Sequence, residues 1–171
     1  MITLVLGGSR SGKSVFAERL ALEASAVTYV ATAHVDPDDA DHRSRIETHR
    51  ERRPAQWHTV ECPDPALLPQ VLHDLSGTVL LDSIGTWIAG HPDLDADPGP
   101  IVTALVERGG DTIVVSEEVG LAPHAPTEAG RRFADAVGTV NQAISAVADR
   151  AVLVVAGRAL ELPPPALPRP D

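Results

Sequence analysis

At 171 residues, with 43% hydrophobic content and a formal net charge of -10, the chain has enough apolar material for one sizeable core and is short for two. The acidic balance argues against a general nucleic-acid surface, which needs a basic footprint. Cys62 is the only cysteine, so no internal disulfide is available, and no apolar run reaches the length of a membrane span.

The first strand, Ile2 to Leu6, runs straight into Gly7-Gly8-Ser9-Arg10-Ser11-Gly12-Lys13-Ser14 with no leader-like segment before it, which together with the lone cysteine predicts a soluble cytoplasmic protein. The spacing Gly-x-x-x-x-Gly-Lys-Ser marks a phosphate-binding loop. Its backbone N–H groups, from Gly7 through Ser11 and Gly12, curl inward around nucleotide phosphates, and the following helix points its positive end at the same anion. Lys13 is placed to reach the β- and γ-phosphates, and the Ser14 hydroxyl to ligate Mg2+. Lys13 is also the only lysine in the chain, kept where a flexible ammonium suits a phosphate cradle. A glycine turn that matches by accident is the alternative. The flanking strand, and a helix over Val15 to Ala24 with Phe16, Leu20 and Ala24 on its core face, favour the functional reading.

Ala26 to Ala31 reads as a buried strand of a parallel sheet, whose carboxyl end delivers Thr32, Ala33 and His34 to the rim that carries the phosphate loop. A helix is predicted from Pro37 to about Arg52, stopping before Pro54. On it Arg45, His49 and Arg53 form one stripe, with His42 and Arg52 beside it. Two readings stand for this stripe: a solvated helix face, or an anion-handling site with His49 inside it. Gln56 to Glu61 follows as a strand with Trp57 as packing, and Pro65 to Leu75 as a helix turning Leu68, Val71, Leu72 and Leu75 inward. Thr78 to Asp82 is an apolar strand ending in an acid, which suits magnesium in phosphate-loop nucleotidases and equally suits a helix cap.

Ser83 to Ala89 reads as a short helix, residues 90–100 as a mobile acidic loop, Ile101 to Glu107 as a helix and Asp111 to Ser116 as a strand. That strand brings Glu117 and Glu118 to the rim, where they order magnesium, accept a proton, cap a helix or face solvent. After an irregular loop, Thr127 caps a helix over Glu128 to Ala148 with Phe133, Val137, Val140, Ile144 and Val147 inward, and Gly138 and Asn141 predict a bend or a polar contact. Ala151 to Ala156 is the last parallel strand. The predicted fold is α/β, a P-loop NTPase-like three-layer sandwich with a mostly parallel sheet flanked by helices. Residues 1–162 form a single catalytic domain, and 163–171 a proline-rich extended tail.

The residues by themselves reach a magnesium-dependent nucleotide-binding α/β domain. In combination the motifs resemble the bifunctional adenosylcobinamide kinase/adenosylcobinamide-phosphate guanylyltransferase family of cobalamin biosynthesis. The resemblance rests on the phosphate loop, Tyr29-Val30-Ala31-Thr32-Ala33, Arg45 to Arg50 with Arg53-Pro54, Trp57 with Val60-Glu61, Leu81-Asp82, Ser116 to Gly120, and Gly138 to Gln142. It implies phosphorylation of adenosylcobinamide by ATP or GTP, then transfer of GMP from GTP to adenosylcobinamide phosphate through a covalent guanylyl-histidine, with His49 at the matching position. It also implies nucleotide contacts by Thr32, Arg45, Arg50, Arg53, Glu61 and Asp82, Mg2+ on Ser14 and Asp82, and a homo-oligomer, commonly a trimer. The chemistry is consistent: a neutral imidazole attacks phosphorus without a base, and neighbouring guanidinium groups disfavour its protonation and stabilise charge on the α-phosphate. The chain departs from the family in carrying Glu117 where an Asn is common, and in lacking a second glycine after Gly120. Another small-molecule kinase, or a nucleotide-dependent interaction module, shares the phosphate loop and Asp82 but makes no covalent adduct.

Overall fold

The computed structural model describes residues 1–33, 53–121 and 125–164. The chain begins with β1 (Ile2–Gly7), all six residues buried, and α1 (Lys13–Ala21) follows the phosphate loop. Then come β2 (Val27–Ala31), β3 (His58–Glu61), α2 (Leu68–Asp74), β4 (Thr78–Asp82) and α3 (Ile84–Ala89). α4 (Pro98–Glu107), β5 (Thr112–Glu117), α5 (Glu128–Ser145), β6 (Arg150–Val155) and β7 (Arg158–Glu161) complete the described elements.

The strands form one sheet in the order β3-β2-β4-β5-β1-β6-β7, parallel throughout except for the last pair. β5 therefore lies between β1, which ends in the phosphate loop, and β4, which ends in Asp82. Alternation along each strand splits the interior in two. Leu4, Leu6, Val79, Leu81 and Val114 pack with Leu68, Leu72, Trp87, Ile101, Leu105, Val140 and Ile144 from α2 to α5. Val5, Leu80, Ile113, Val115 and Val154 pack with Ala17 and Ala21 of α1. Helices on both faces of a mostly parallel sheet are the predicted three-layer sandwich.

Several boundaries differ from expectation for local reasons. α4 begins at Pro98 rather than Ile101 because Asp97 caps it, accepting from Gly99 N at 2.9 Å, and Pro98 sits where no N–H is required. The predicted acidic loop before it holds a 3-10 turn at Pro92–Leu94. On α1 the buried residues are Ala17, Glu18 and Ala21, with Phe16, Leu20 and, just beyond the helix, Ala24 only partly covered, so the core stripe is rotated from the predicted one and includes an acid. Asn141 makes the polar contact foreseen for α5, accepting from Ser116 Oγ at 2.5 Å and donating to Glu117 O at 2.9 Å, and the helix runs unbroken through Gly138. β6 is the last parallel strand as expected, but Ala156 and Gly157, both at positive φ, turn the chain back into a further, antiparallel β7.

Candidate nucleotide-binding site

Conformation makes the loop between β1 and α1 depend on its glycines. Gly12 caps α1 at φ 94, where an L side chain is strained, and a Cβ on Gly7 would lie 2.4 Å from Ser11 Oγ and 2.8 Å from the Val154 carbonyl. The curl is closed by Ser11 N donating to Gly8 O at 3.2 Å and by Lys13 N donating to Ser11 Oγ at 3.3 Å. It is braced from outside by the β6–β7 turn, where Gly157 N donates to Ser11 O at 2.8 Å, and by Glu118 N donating to Gly7 O at 3.0 Å. The result is a preformed nest at the start of α1 with Ser9 and Arg10 exposed at its tip.

The sheet brings the other predicted residues to the same rim. Gly7 pairs in register with Glu117, Asp82 with Ala31, and Ala31 with Glu61, so these positions line one edge at the carboxyl ends of the strands. Strand parity adds a direction. Asp82 alternates with Leu80, and Glu117 with Val115, on the face covered by α1, so both carboxylates lie on the side from which Lys13 and Ser14 begin their helix.

Asp82 is held by the phenol of Tyr29, which donates to its Oδ2 at 2.6 Å. Burial, reinforced by that carboxylate, pushes the Tyr29 hydroxyl far above its usual range. The Arg53 guanidinium stacks over the Tyr29 ring with its carbon 3.5 Å from the centroid, and its buried Nε has no hydrogen-bond partner among the described residues. Arg53 and Glu61 line one recess of about 480 Å³ with Pro54, Trp57 and Thr59. A cation, a carboxylate and an indole thus share a hollow connected to Asp82 through Tyr29. This connection spans three segments and has no local sequence signature; only the pairing of β2 with β4 creates it.

Thr32, expected to contact the nucleotide, is hydrogen-bonded to the start of α3. It is 2% exposed, and its hydroxyl donates to Ser83 O at 2.6 Å, accepts from Ser83 N at 3.1 Å and lies 2.6 Å from Thr86 Oγ1. Those bonds tie the end of β2 to the capped start of α3, so Thr32 shapes the rim from beneath. Lys13 Nζ lies 3.6 Å from Glu117 Oε1, a pairing the sequence reading did not foresee. His49, Arg45 and Arg50, together with His34 and the predicted helix over 37–52, lie outside the described residues. No group of three or more potential metal-ligating His, Cys, Asp or Glu side chains occurs among the described residues. Magnesium carried on nucleotide phosphates needs only one or two protein oxygens, and a hydroxyl and a carboxylate of the kind Ser14 and Asp82 carry fit that need.

Comparison with known proteins extends the geometry. Residues 3–162 match the CobU family, described as cobinamide kinase / cobinamide phosphate guanyltransferase. The chain is 38% identical over 172 residues to the bifunctional adenosylcobalamin biosynthesis protein CobP of Pseudomonas aeruginosa, covering 95% of this chain and 97% of that protein. It is 33% identical to the bifunctional adenosylcobalamin biosynthesis protein CobU of Salmonella typhimurium, covering 92% of this chain and 97% of the relative. Among solved structures, an ATPase from the type III secretion system of pathogenic bacteria superposes with a TM-score of 0.52 at 11% identity, over 89% of this chain and 50% of that one. That likeness concerns the fold alone.

Proposed function

Because the chain belongs to the cobinamide kinase / cobinamide phosphate guanyltransferase family, we propose that it catalyses both reactions on one nucleotide site. It phosphorylates adenosylcobinamide with ATP or GTP, then transfers GMP from GTP to the new phosphate, giving adenosylcobinamide-GDP and pyrophosphate. The observation that carries this reading is the family match over residues 3–162, which encloses the phosphate loop, Asp82 and His49 in one contiguous stretch.

In the kinase step the acceptor hydroxyl oxygen bonds to the γ-phosphorus and gives up its proton, with Glu118 and Asp82 the candidate acceptors on the rim. The bond to the β–γ bridging oxygen breaks, and the nucleoside diphosphate leaves with the negative charge. The nest of Gly7 to Gly12 orients the phosphates, and Lys13 neutralises charge on the β- and γ-oxygens. Ser14 and Asp82 would hold Mg2+, which would supply further neutralisation of phosphate charge. Tyr29 keeps the Asp82 carboxylate in place, and remains a neutral donor because its proton is held so firmly.

In the second reaction a neutral His49 imidazole attacks the α-phosphorus of GTP, forming an N–P bond as pyrophosphate departs. A phosphate oxygen of adenosylcobinamide phosphate then attacks the same phosphorus and the imidazole leaves. Arg45, Arg50 and Arg53 disfavour protonation of His49 and stabilise the α-phosphate charge. Support for Arg53 and Glu61 as nucleotide contacts comes from the recess they line together with Trp57. A cytoplasmic homo-oligomer, a trimer, completes the reading. No described helix is long and apolar enough to cross a membrane.

Incubation with α-labelled GTP and magnesium followed by denaturation tests the covalent step. The expected result is an acid-labile, base-stable label that is absent in His49→Ala. Wild-type protein that binds GTP yet stays unlabelled overturns the transferase half and leaves a small-molecule kinase. For the first half, Lys13→Ala is expected to abolish phosphorylation of adenosylcobinamide, and a near-normal rate would remove Lys13 from its assigned role.

A further inference from the structure

We propose that Glu117 is a positioning residue that holds Lys13 while the loop is empty, so that a triphosphate must take the ammonium from a carboxylate rather than from water. Three contacts fix that carboxylate. Its Oε2 accepts from Gly85 N at 2.7 Å, its Oε1 accepts from Ser83 Oγ at 3.1 Å, and Oε1 lies 3.6 Å from Lys13 Nζ. The seat is shaped for it. A Cβ on Gly85 would come within 2.1 Å of Glu117 Oε2, so the glycine leaves the room the carboxylate uses.

The two partners differ in freedom. Glu117 closes β5, pairs in register with Gly7, and has its carbonyl bonded by Asn141 Nδ2 at 2.9 Å. Lys13 carries a four-carbon stem with rotatable donors. When the pair separates, the lysine moves and the carboxylate stays. Both side chains are largely withdrawn from water, at 12% and 24% exposure, so the attraction is less screened than at an open surface. Glu117 therefore lowers the affinity for any nucleotide whose phosphates recruit Lys13, and leaves a monophosphate, which is too short to recruit it, unaffected. Because the same carboxylate bonds to Ser83 and Gly85, directly after Asp82, departure of the lysine also changes the charge balance beside the proposed magnesium ligand.

This inference rests on the loop binding a triphosphate, and the experiment separates the two. Full-length wild type, Glu117→Gln, Lys13→Met and the double variant are titrated calorimetrically with a β,γ-methylene GTP analogue and with GMP. Glutamine keeps the length and polar atoms that meet Ser83 and Gly85 while removing the charge. The analogue is expected to bind Glu117→Gln about fivefold more tightly than wild type. GMP affinity should stay unchanged, and the gain should vanish when Lys13 is already Met. Glu117→Asn carries the same expectation and serves should the Gln variant not fold. Unchanged or weaker analogue binding in a folded variant overturns the proposal, as does an equal gain for GMP or in the Lys13→Met background. A wild type that binds GMP but not the analogue overturns the triphosphate reading and this inference with it.

Discussion

Tyr29 concentrates the residue-scale argument, since it is the only tyrosine in the chain and its phenol is both buried and bonded to Asp82. Its proton is held well above the ordinary value of 10.0, first by loss of solvent and then by the neighbouring carboxylate. The folded state therefore keeps this proton where the unfolded chain releases it, so the stabilisation is complete below about pH 10 and is lost as the pH rises beyond it. The near-ultraviolet absorbance of tyrosinate is expected to stay silent past that pH while the protein is folded, and to rise only together with loss of helical circular dichroism. A smooth ordinary titration without unfolding would show the phenol to be free. Tyr29→Phe should remove this alkaline term and cost about 1 kcal/mol at neutral pH, read from urea midpoints. The sequence announced an acid at the end of an apolar strand, but not the phenol that restrains it. Fifty-three positions separate the two, and only the parallel pairing of β2 with β4 brings them together.

Elements explain why some of the fold was legible before the structure and some was not. β1, β4, β5 and α5 carry strong periodic patterns and signals such as the Thr127 cap, so their ends fall within a few residues of expectation. Local chemistry misled in two places. Pro98-Gly99-Pro100 resembles a helix breaker, yet proline at a first turn behind a capping aspartate starts one. Arg158-Ala159-Leu160-Glu161 lacks β-branched residues and precedes a proline run, yet it pairs as β7 because the turn before it is favourable. That turn has φ of 50 at Ala156 and 74 at Gly157, the positive pair a two-residue type I′ hairpin requires. Asparagine tolerates this conformation better than alanine, so Ala156→Asn is expected to stabilise the protein by about 0.5 kcal/mol, measured as a higher thermal midpoint. The turn also supports function, since Gly157 N bonds to Ser11 O. Deleting the hairpin residues should weaken triphosphate binding more than any single substitution within β7.

Across the whole molecule, the strand order decides what a nucleotide does to stability. The phosphate loop follows β1, Asp82 ends β4, and β5 with Glu117 lies between them, so a nucleotide and magnesium bound as proposed would connect parts of the sheet that lie far apart in the chain. A ligand that binds only the folded sheet shifts the entire unfolding equilibrium. At a triphosphate concentration about 100 times its dissociation constant the gain is about 2.7 kcal/mol. For a chain of roughly this length each kcal/mol moves the midpoint by about 2–4 °C, so magnesium with a non-hydrolysable GTP analogue should raise it by about 5–10 °C. Lys13→Ala should lose most of that rise at the same ligand concentration, because without the ammonium the dissociation constant rises toward or above that concentration. Asp82→Asn should lose the part that depends on magnesium and keep the part seen with excess chelator. The same rise in Lys13→Ala as in wild type would mean that the nucleotide sits elsewhere on the rim, for instance wholly in the recess of Arg53 and Glu61. An Asp82→Asn shift that still falls on adding chelator, as the wild-type shift does, would remove Asp82 from the metal and leave it as an acceptor for Tyr29.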